Sequence, residues 1–159
     1  MSSRHVEKSR TFPAIVGDAF DDVLSAPLPE IFSRRYGAIA PIAEVTGQAG
    51  EWGVELGRTR TIHLKDGTTM LETLTRIDRG EAFGYSIGGI TGMMKPLVAS
   101  ATGLWKFEPA GTGVRITWSW DIVPTAIGRA AMPVFARLWS GYARQAMDQI
   151  EQILLGQSL

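Results

Sequence analysis

The sequence predicts an α+β fold in which a long C-terminal helix closes over a curved antiparallel sheet, leaving an apolar cavity between them. Three observations carry this expectation. Residues 58–123 read as successive period-two segments broken by turn residues. After Pro124 the apolar period becomes helical, with Phe135, Leu138, Trp139, Tyr142, Ala146, Ile150 and Ile153 in step. The strand faces that point one way carry large aromatics, which is bulky material for a sheet covered by one helix.

Composition sets the outer bounds. The chain has 159 residues, 45% hydrophobic and 20% charged, which suits one globular domain over 1–159. Sixteen basic and sixteen acidic residues leave a formal net charge of zero, giving no electrostatic reason to expect nucleic acid or an anionic surface as a partner. There are no cysteines, which excludes disulfides, thiolate chemistry and Cys-bound zinc. The first ten residues are polar, with no apolar run after them, and no stretch reaches the roughly 18 apolar residues of a membrane span. The expectation is a cytoplasmic protein without stable membrane insertion, with homodimerisation left open.

The elements follow in order. Val6 to Phe12 reads as a first strand stopped by Pro13. Val16 to Ser25 reads as a short helix with Asp18 as its N-cap and Phe20, Val23 and Leu24 on one side. Pro27 and Pro29 open a second helical turn through Phe32. Ile42 to Val45 reads as a strand, and the glycines at 47, 50, 53 and 57 punctuate loops. Strands are then expected over Arg58–Leu64, Thr68–Ile77, Ala82–Ile87, Ala99–Glu108 and Val114–Val123, with a glycine-rich, methionine-containing loop over Gly88–Pro96. The last helix is expected from about Pro133 to Leu155, with Gly156 as its stop; Gly128 to Met132 could extend it backwards, but Pro133 favours a late start or a kink over a straight continuation.

Turn chemistry fixes the hairpin registers. Lys65-Asp66-Gly67 as a three-residue loop, with Gly67 left-handed, sets Leu64 opposite Thr68, Ile62 opposite Met70 and Arg60 opposite Glu72. One face then holds Arg60, Ile62, Leu64, Met70, Glu72 and Leu74, while the other is rich in threonine and holds His63. A slip by one residue would mix the two sets, which a buried face disfavours. The turn at Arg79-Gly80 sets Leu74 opposite Tyr85 and Glu72 opposite Ile87, so the inner face continues through Phe83, Tyr85 and Ile87. On the last hairpin Trp105 and Phe107 alternate against Lys106 and Glu108, and Ile116, Trp118 and Trp120 against Arg115, Ser119 and Asp121.

This inner face supplies the candidate ligand-binding set: Arg60, Glu72, Leu74, Tyr85, Ile87, Trp105, Phe107, Trp118 and Trp120, with Phe135, Trp139 and Tyr142 from the helix above. The same aromatics would also serve as plain core, and an Arg60–Glu72 pair would also serve as an internal ion pair, since isolated buried charges are costly. The guanidinium has five donors in a planar fork, so one carboxylate leaves some for a ligand oxygen. No catalytic residue stands out. His5 and His63 lie far apart without metal-ligand spacing, so no metal is expected. The glycines at 84, 88, 89 and 92 do not form GxGxxG at a strand-to-helix turn, so no nucleotide cofactor is expected. A Ser–His–Asp arrangement has no suitably placed histidine.

Pro13 to Phe32 (PAIVGDAFDDVLSAPLPEIF), Gly57 to Glu72 (GRTRTIHLKDGTTMLE), Thr102 to Trp120 (TGLWKFEPAGTGVRITWSW) and the helix to Leu155 together resemble the START-type helix-grip superfamily, also called SRPBCC. Within it the chain looks most like the polyketide cyclase/dehydrase and lipid-transport family. The resemblance spans nearly the whole chain, and its motifs specify fold rather than activity. It implies a deep cavity holding a lipid, polyketide, sterol or aromatic metabolite, oriented in some cyclases of this kind by an arginine, to which Arg60 is the match. Two function classes follow: a binder or carrier of a small hydrophobic molecule, and a cyclase or dehydrase working without metal or nucleotide. A third, a protein–protein regulator, would use Ile90, Met93 and Met94 of the Gly88–Pro96 loop as a contact surface. In the first two, that loop borders the cavity mouth.

Overall fold

The computed structural model describes residues 3–157. Seven strands form one antiparallel sheet: β1 (Arg4–Phe12), β2 (Ile42–Thr46), β3 (Thr59–Leu64), β4 (Thr69–Asp78), β5 (Ala82–Thr91), β6 (Val98–Ala110) and β7 (Gly113–Pro124). Their spatial order is β1-β7-β6-β5-β4-β3-β2, so the first strand closes one edge against the last. Helices α1 (Val16–Ser25) and α2 (Leu28–Ile31) follow β1, and α3 (Gly128–Gln157) ends the chain. The sheet bends around α3. Register shifts at Thr69/Leu71 and Leu74/Arg76 on β4, and at Val98/Ser100 on β6, mark irregularities of the kind that bend a strand.

The hairpin registers fall where the turn chemistry sets them. Arg60 pairs with Glu72 and Ile62 with Met70. Leu74 pairs with Tyr85 and Glu72 with Ile87. Gly67 has φ 90°, the left-handed conformation that the three-residue loop requires, and the Asp66 side chain accepts a 2.9 Å hydrogen bond from the Thr68 N–H. Alternation is strict on β3, where Arg60, Ile62 and Leu64 are buried and Thr59, Thr61 and His63 are not. His63 faces outward as expected and is 2.7 Å from the Thr46 hydroxyl.

Four local expectations are corrected. Helix α3 begins at Gly128, so the backward extension over Gly128–Met132 is what forms, and the favoured late start at Pro133 is not; the helix runs through the proline. The Thr125 hydroxyl accepts from the Gly128 N–H at 2.8 Å, so the first turn is capped from outside, and buried Met132 and Phe135 anchor the helix on either side of Pro133. Pro133 costs one backbone bond near the helix start, where packing outweighs it. Gly156 lies inside the last turn rather than ending it. Asp18 is not the cap of α1: Ile15 holds that position without a side-chain bond, and Asp18 sits in the first turn, where a carboxylate favours the helix dipole. The Gly88–Pro96 segment is not a free loop. Residues 88–91 continue β5, with Gly88 paired to Leu71 and Thr91 to Thr69, and a single 3-10 turn over Gly92–Met94 follows.

A continuous apolar core joins the inner sheet face to α1, α2 and α3. Helix α3 packs on β1 and β7, and α1 on β6. Among the described residues, no helix is long and apolar enough to cross a membrane, and no group of three His, Asp or Glu side chains is placed to hold a metal ion.

Candidate functional site

An apolar pocket lies between the inner sheet face and α3. Its wall includes Val23 and Leu24 from α1, Leu28 and Ile31 from α2, Ile62, Met70 and Ile87 from the sheet, and Phe135, Trp139 and Tyr142 from α3. Its free volume is about 70 Å³. That is room for a few waters or a small ring, since one water needs on the order of 10–15 Å³ by the same measure.

Ten of the sequence-derived candidates meet on this wall: Arg60, Glu72, Tyr85, Ile87, Trp105, Trp118, Trp120, Phe135, Trp139 and Tyr142. Leu74 and Phe107 stand elsewhere. Leu74 is sealed in the core, and Phe107 packs behind the wall, edge-on to Phe20 and stacked on Phe83. Of the Gly88–Pro96 segment only Met94 reaches the pocket, while Ile90 is buried in the core and Met93 stays exposed.

Trp118 is the centre of the aromatic wall. It stacks on Trp139 at 4.5 Å and on Trp105 at 5.3 Å, and Phe32 leans on it at 5.0 Å. These contacts join β6, β7, α3 and the residue that caps α2, so the rings both hold the helix onto the sheet and form a flat apolar surface. Offset and tilted ring pairs of this kind contribute about 0.5–1.5 kcal/mol each beyond area burial. Tyr142 adds a tie of its own, since its hydroxyl donates to the Ala40 carbonyl at 3.0 Å, and burial pushes its pKa up.

A polar strip crosses this apolar wall. Arg60 Nε donates to Glu72 Oε1 at 2.7 Å, with both side chains less than a tenth exposed. The fork's Nη1 reaches Gln48 Oε1 at 3.4 Å, and the guanidinium carbon lies 3.9 Å from the centre of the Trp52 ring. Next along the strip, Tyr85 accepts hydrogen bonds at 2.8 Å from both Trp118 Nε1 and Trp120 Nε1. Burial pushes the Glu72 carboxyl above its ordinary value, and the Arg60 charge and hydrogen bond only partly oppose this.

The Glu72 shift has a testable sign. Above the ordinary value of 4.5 the folded carboxyl holds its proton more tightly than the unfolded one. Its contribution is therefore complete below that value and is lost as pH rises through the folded-state pKa. The stability of the wild type relative to Glu72→Gln is expected to fall as pH rises from about 4.5, measured by urea unfolding at a series of pH values. A difference that grows with pH would mean that Arg60 holds the carboxyl below its ordinary value instead.

Three participants escape the sequence pattern. Trp52 and Gln48 lie in the glycine-punctuated stretch before β3, and a tryptophan there is the available signal, because an exposed loop seldom keeps one. Trp52 is buried at 7% exposure. The third is Gly103. Tyr85, Gly103 and Trp120 lie in one row across β5, β6 and β7, and a methyl at Gly103 would overlap the Tyr85 ring. The missing side chain is what lets the phenol lie across β6 and reach both indoles. A glycine inside a strand marks such close approaches.

The profile of the polyketide cyclase/dehydrase and lipid transport family matches residues 3–154. No curated protein matches the chain. Among solved structures, a protein of Thermus thermophilus is similar with a TM-score of 0.73 at 14% identity, over 98% of this chain and 100% of that one. Major latex-like protein 151 of Panax ginseng is similar with a TM-score of 0.70 at 13% identity, over 97% and 99% of the two chains. Ara h 8.0201 is similar with a TM-score of 0.67 at 16% identity, over 98% and 99%. At such identities the likeness shows the shared fold. With the family match over nearly its whole length and the long helix gripped by a curved seven-stranded sheet, the chain belongs to the polyketide cyclase/dehydrase and lipid transport family of the START-type helix-grip superfamily.

Proposed function

We propose that this protein binds one small hydrophobic molecule in the pocket between the sheet and α3. The carrying observation is the wall itself, with apolar residues from three helices and the sheet converging on one space and only a few polar side chains, Arg60, Glu72 and Tyr85 foremost, set among them. Pockets for small molecules have this make-up, apolar surface with a few placed polar groups. The stacked indoles suit a flat aromatic metabolite or a cyclic polyketide, and the narrow free volume favours these over a long-chain lipid. Arg60, whose Nη2 has no partner among the described residues, offers a spare donor to the ligand's polar end.

Native mass spectrometry of protein purified without detergent is expected to show one non-covalent small-molecule adduct per chain, released by organic solvent. A bare chain that also takes up no apolar additive at millimolar concentration would refute the proposal.

One observation favours an enzymatic reading of the same pocket. Glu72 is a titratable group on the pocket wall with a raised pKa, and such groups concentrate at active sites. For a cyclase or dehydrase, Glu72→Gln would abolish conversion of a poly-β-keto substrate and leave its binding in place. For a carrier, the wild type would return the substrate unchanged.

A further inference from the structure

The hydrogen-bond inventory of the pocket is one-sided. An indole N–H can only donate, so the bonds from Trp118 and Trp120 both fall on the oxygen of Tyr85. A phenol oxygen accepts about two such bonds and then has only its own proton to offer. That proton has no protein acceptor within reach among the described residues. Oε1 of nearby Glu72 is engaged by Arg60, and the phenol makes no bond to that carboxylate. Trp139, stacked against Trp118 on the same wall, has a buried indole N–H that also lacks an acceptor among the described residues. Buried polar groups are almost always paired, and each unpaired one calls for a cause.

We propose that Tyr85, held by Trp118 and Trp120 with its oxygen already saturated, is a donor-only anchor for a neutral carbonyl oxygen of the bound molecule, with the Trp139 N–H as a second donor on the same wall. The inference rests on the pocket being the ligand site. The chemistry selects the acceptor. A ligand hydroxyl or amine offered as a donor would find no free lone pair on Tyr85. A carboxylate would bring an unneutralised charge into an apolar wall whose one cation is already paired. A ketone or amide oxygen supplies lone pairs without charge. Burial pushes the Tyr85 pKa up, so the phenol keeps its proton and polarises the carbonyl rather than protonating it.

The test uses the full ¹⁵N-labelled chain and two probes matched in shape, acetophenone and cumene, titrated by NMR into wild type and Tyr85→Phe. The ratio of acetophenone to cumene affinity is expected to fall about tenfold in the variant, because only the ketone loses a bond and the ratio cancels general changes in the pocket. In wild type, the carbonyl stretch of bound acetophenone is expected below its frequency in a hydrocarbon solvent. This infrared reading needs no substitution, so it decides the matter even if Tyr85→Phe fails to fold. An unchanged affinity ratio, or a stretch at the hydrocarbon value, overturns the inference while leaving the pocket as the binding site. Failure of both probes to bind wild type overturns the binding reading and this inference with it.

Discussion

Gly103→Ala is expected to destabilise the protein by at least about 3 kcal/mol, although it adds one methyl group. The methyl would occupy the space of the outer half of the Tyr85 ring, the part bearing the hydroxyl. Overpacking of this kind costs about 1–3 kcal/mol. Displacing the phenol also leaves the Trp118 and Trp120 N–H groups buried without their acceptor, at about 1–3 kcal/mol each. The cause is separable by a double-mutant cycle in urea. Tyr85→Leu removes the ring edge that collides, so Gly103→Ala in that background is expected to cost less than about 1 kcal/mol. An equal cost in both backgrounds would place the problem in the β6 backbone and remove Gly103 from the site.

Arg60→Ala is expected to cost about 3–5 kcal/mol, because it leaves the Glu72 carboxylate buried and unpaired. It also removes the cation beneath Trp52. Stretch 47–57, in which Trp52 sits, is then expected to exchange its amide hydrogens faster, because Trp52 loses the contact that seats it. The double variant Arg60→Met with Glu72→Leu removes both charges at similar volume and is expected to lie within about 1 kcal/mol of wild type or above it. The pair of variants separates stability from recognition. A double variant that folds and retains unchanged affinity for the native ligand would make the ion pair structural only. A folded double variant with weakened affinity would assign Arg60 to the ligand.

These two sites differ in how legible they are. Arg60 and Glu72 sit one turn apart in sequence, and the Lys65-Asp66-Gly67 loop sets their register without tertiary information. The inner faces of β3 to β7 follow from the same local logic, because period-two alternation and turn type are both short-range. The Tyr85 network is not short-range. Its hydrogen bonds join β5 to β7 across β6, and only the assembled sheet shows that Gly103 opens the path. Trp52 reaches Arg60 from a glycine-punctuated stretch whose course no periodicity describes. The start of α3 misleads for a related reason. Pro133 carries a strong local signal for a break, while the cap at Thr125 and the burial of Met132 and Phe135 act through tertiary structure. Residues 88–91 read as loop because Gly88 and Gly89 weaken strand propensity, yet pairing with β4 holds them in the sheet.

The most direct test of the central claim is a map of where an apolar molecule binds. Cumene titrated into protein labelled at its methyl groups and indole N–H groups is expected to shift Ile62, Leu64, Ile87, Met94, Trp118, Trp120 and Trp139 together, with one dissociation constant, since all of them line the pocket. Shifts confined to the outer sheet face around Ser9, Lys106 and Thr117, with the pocket signals unmoved, would contradict an internal ligand site.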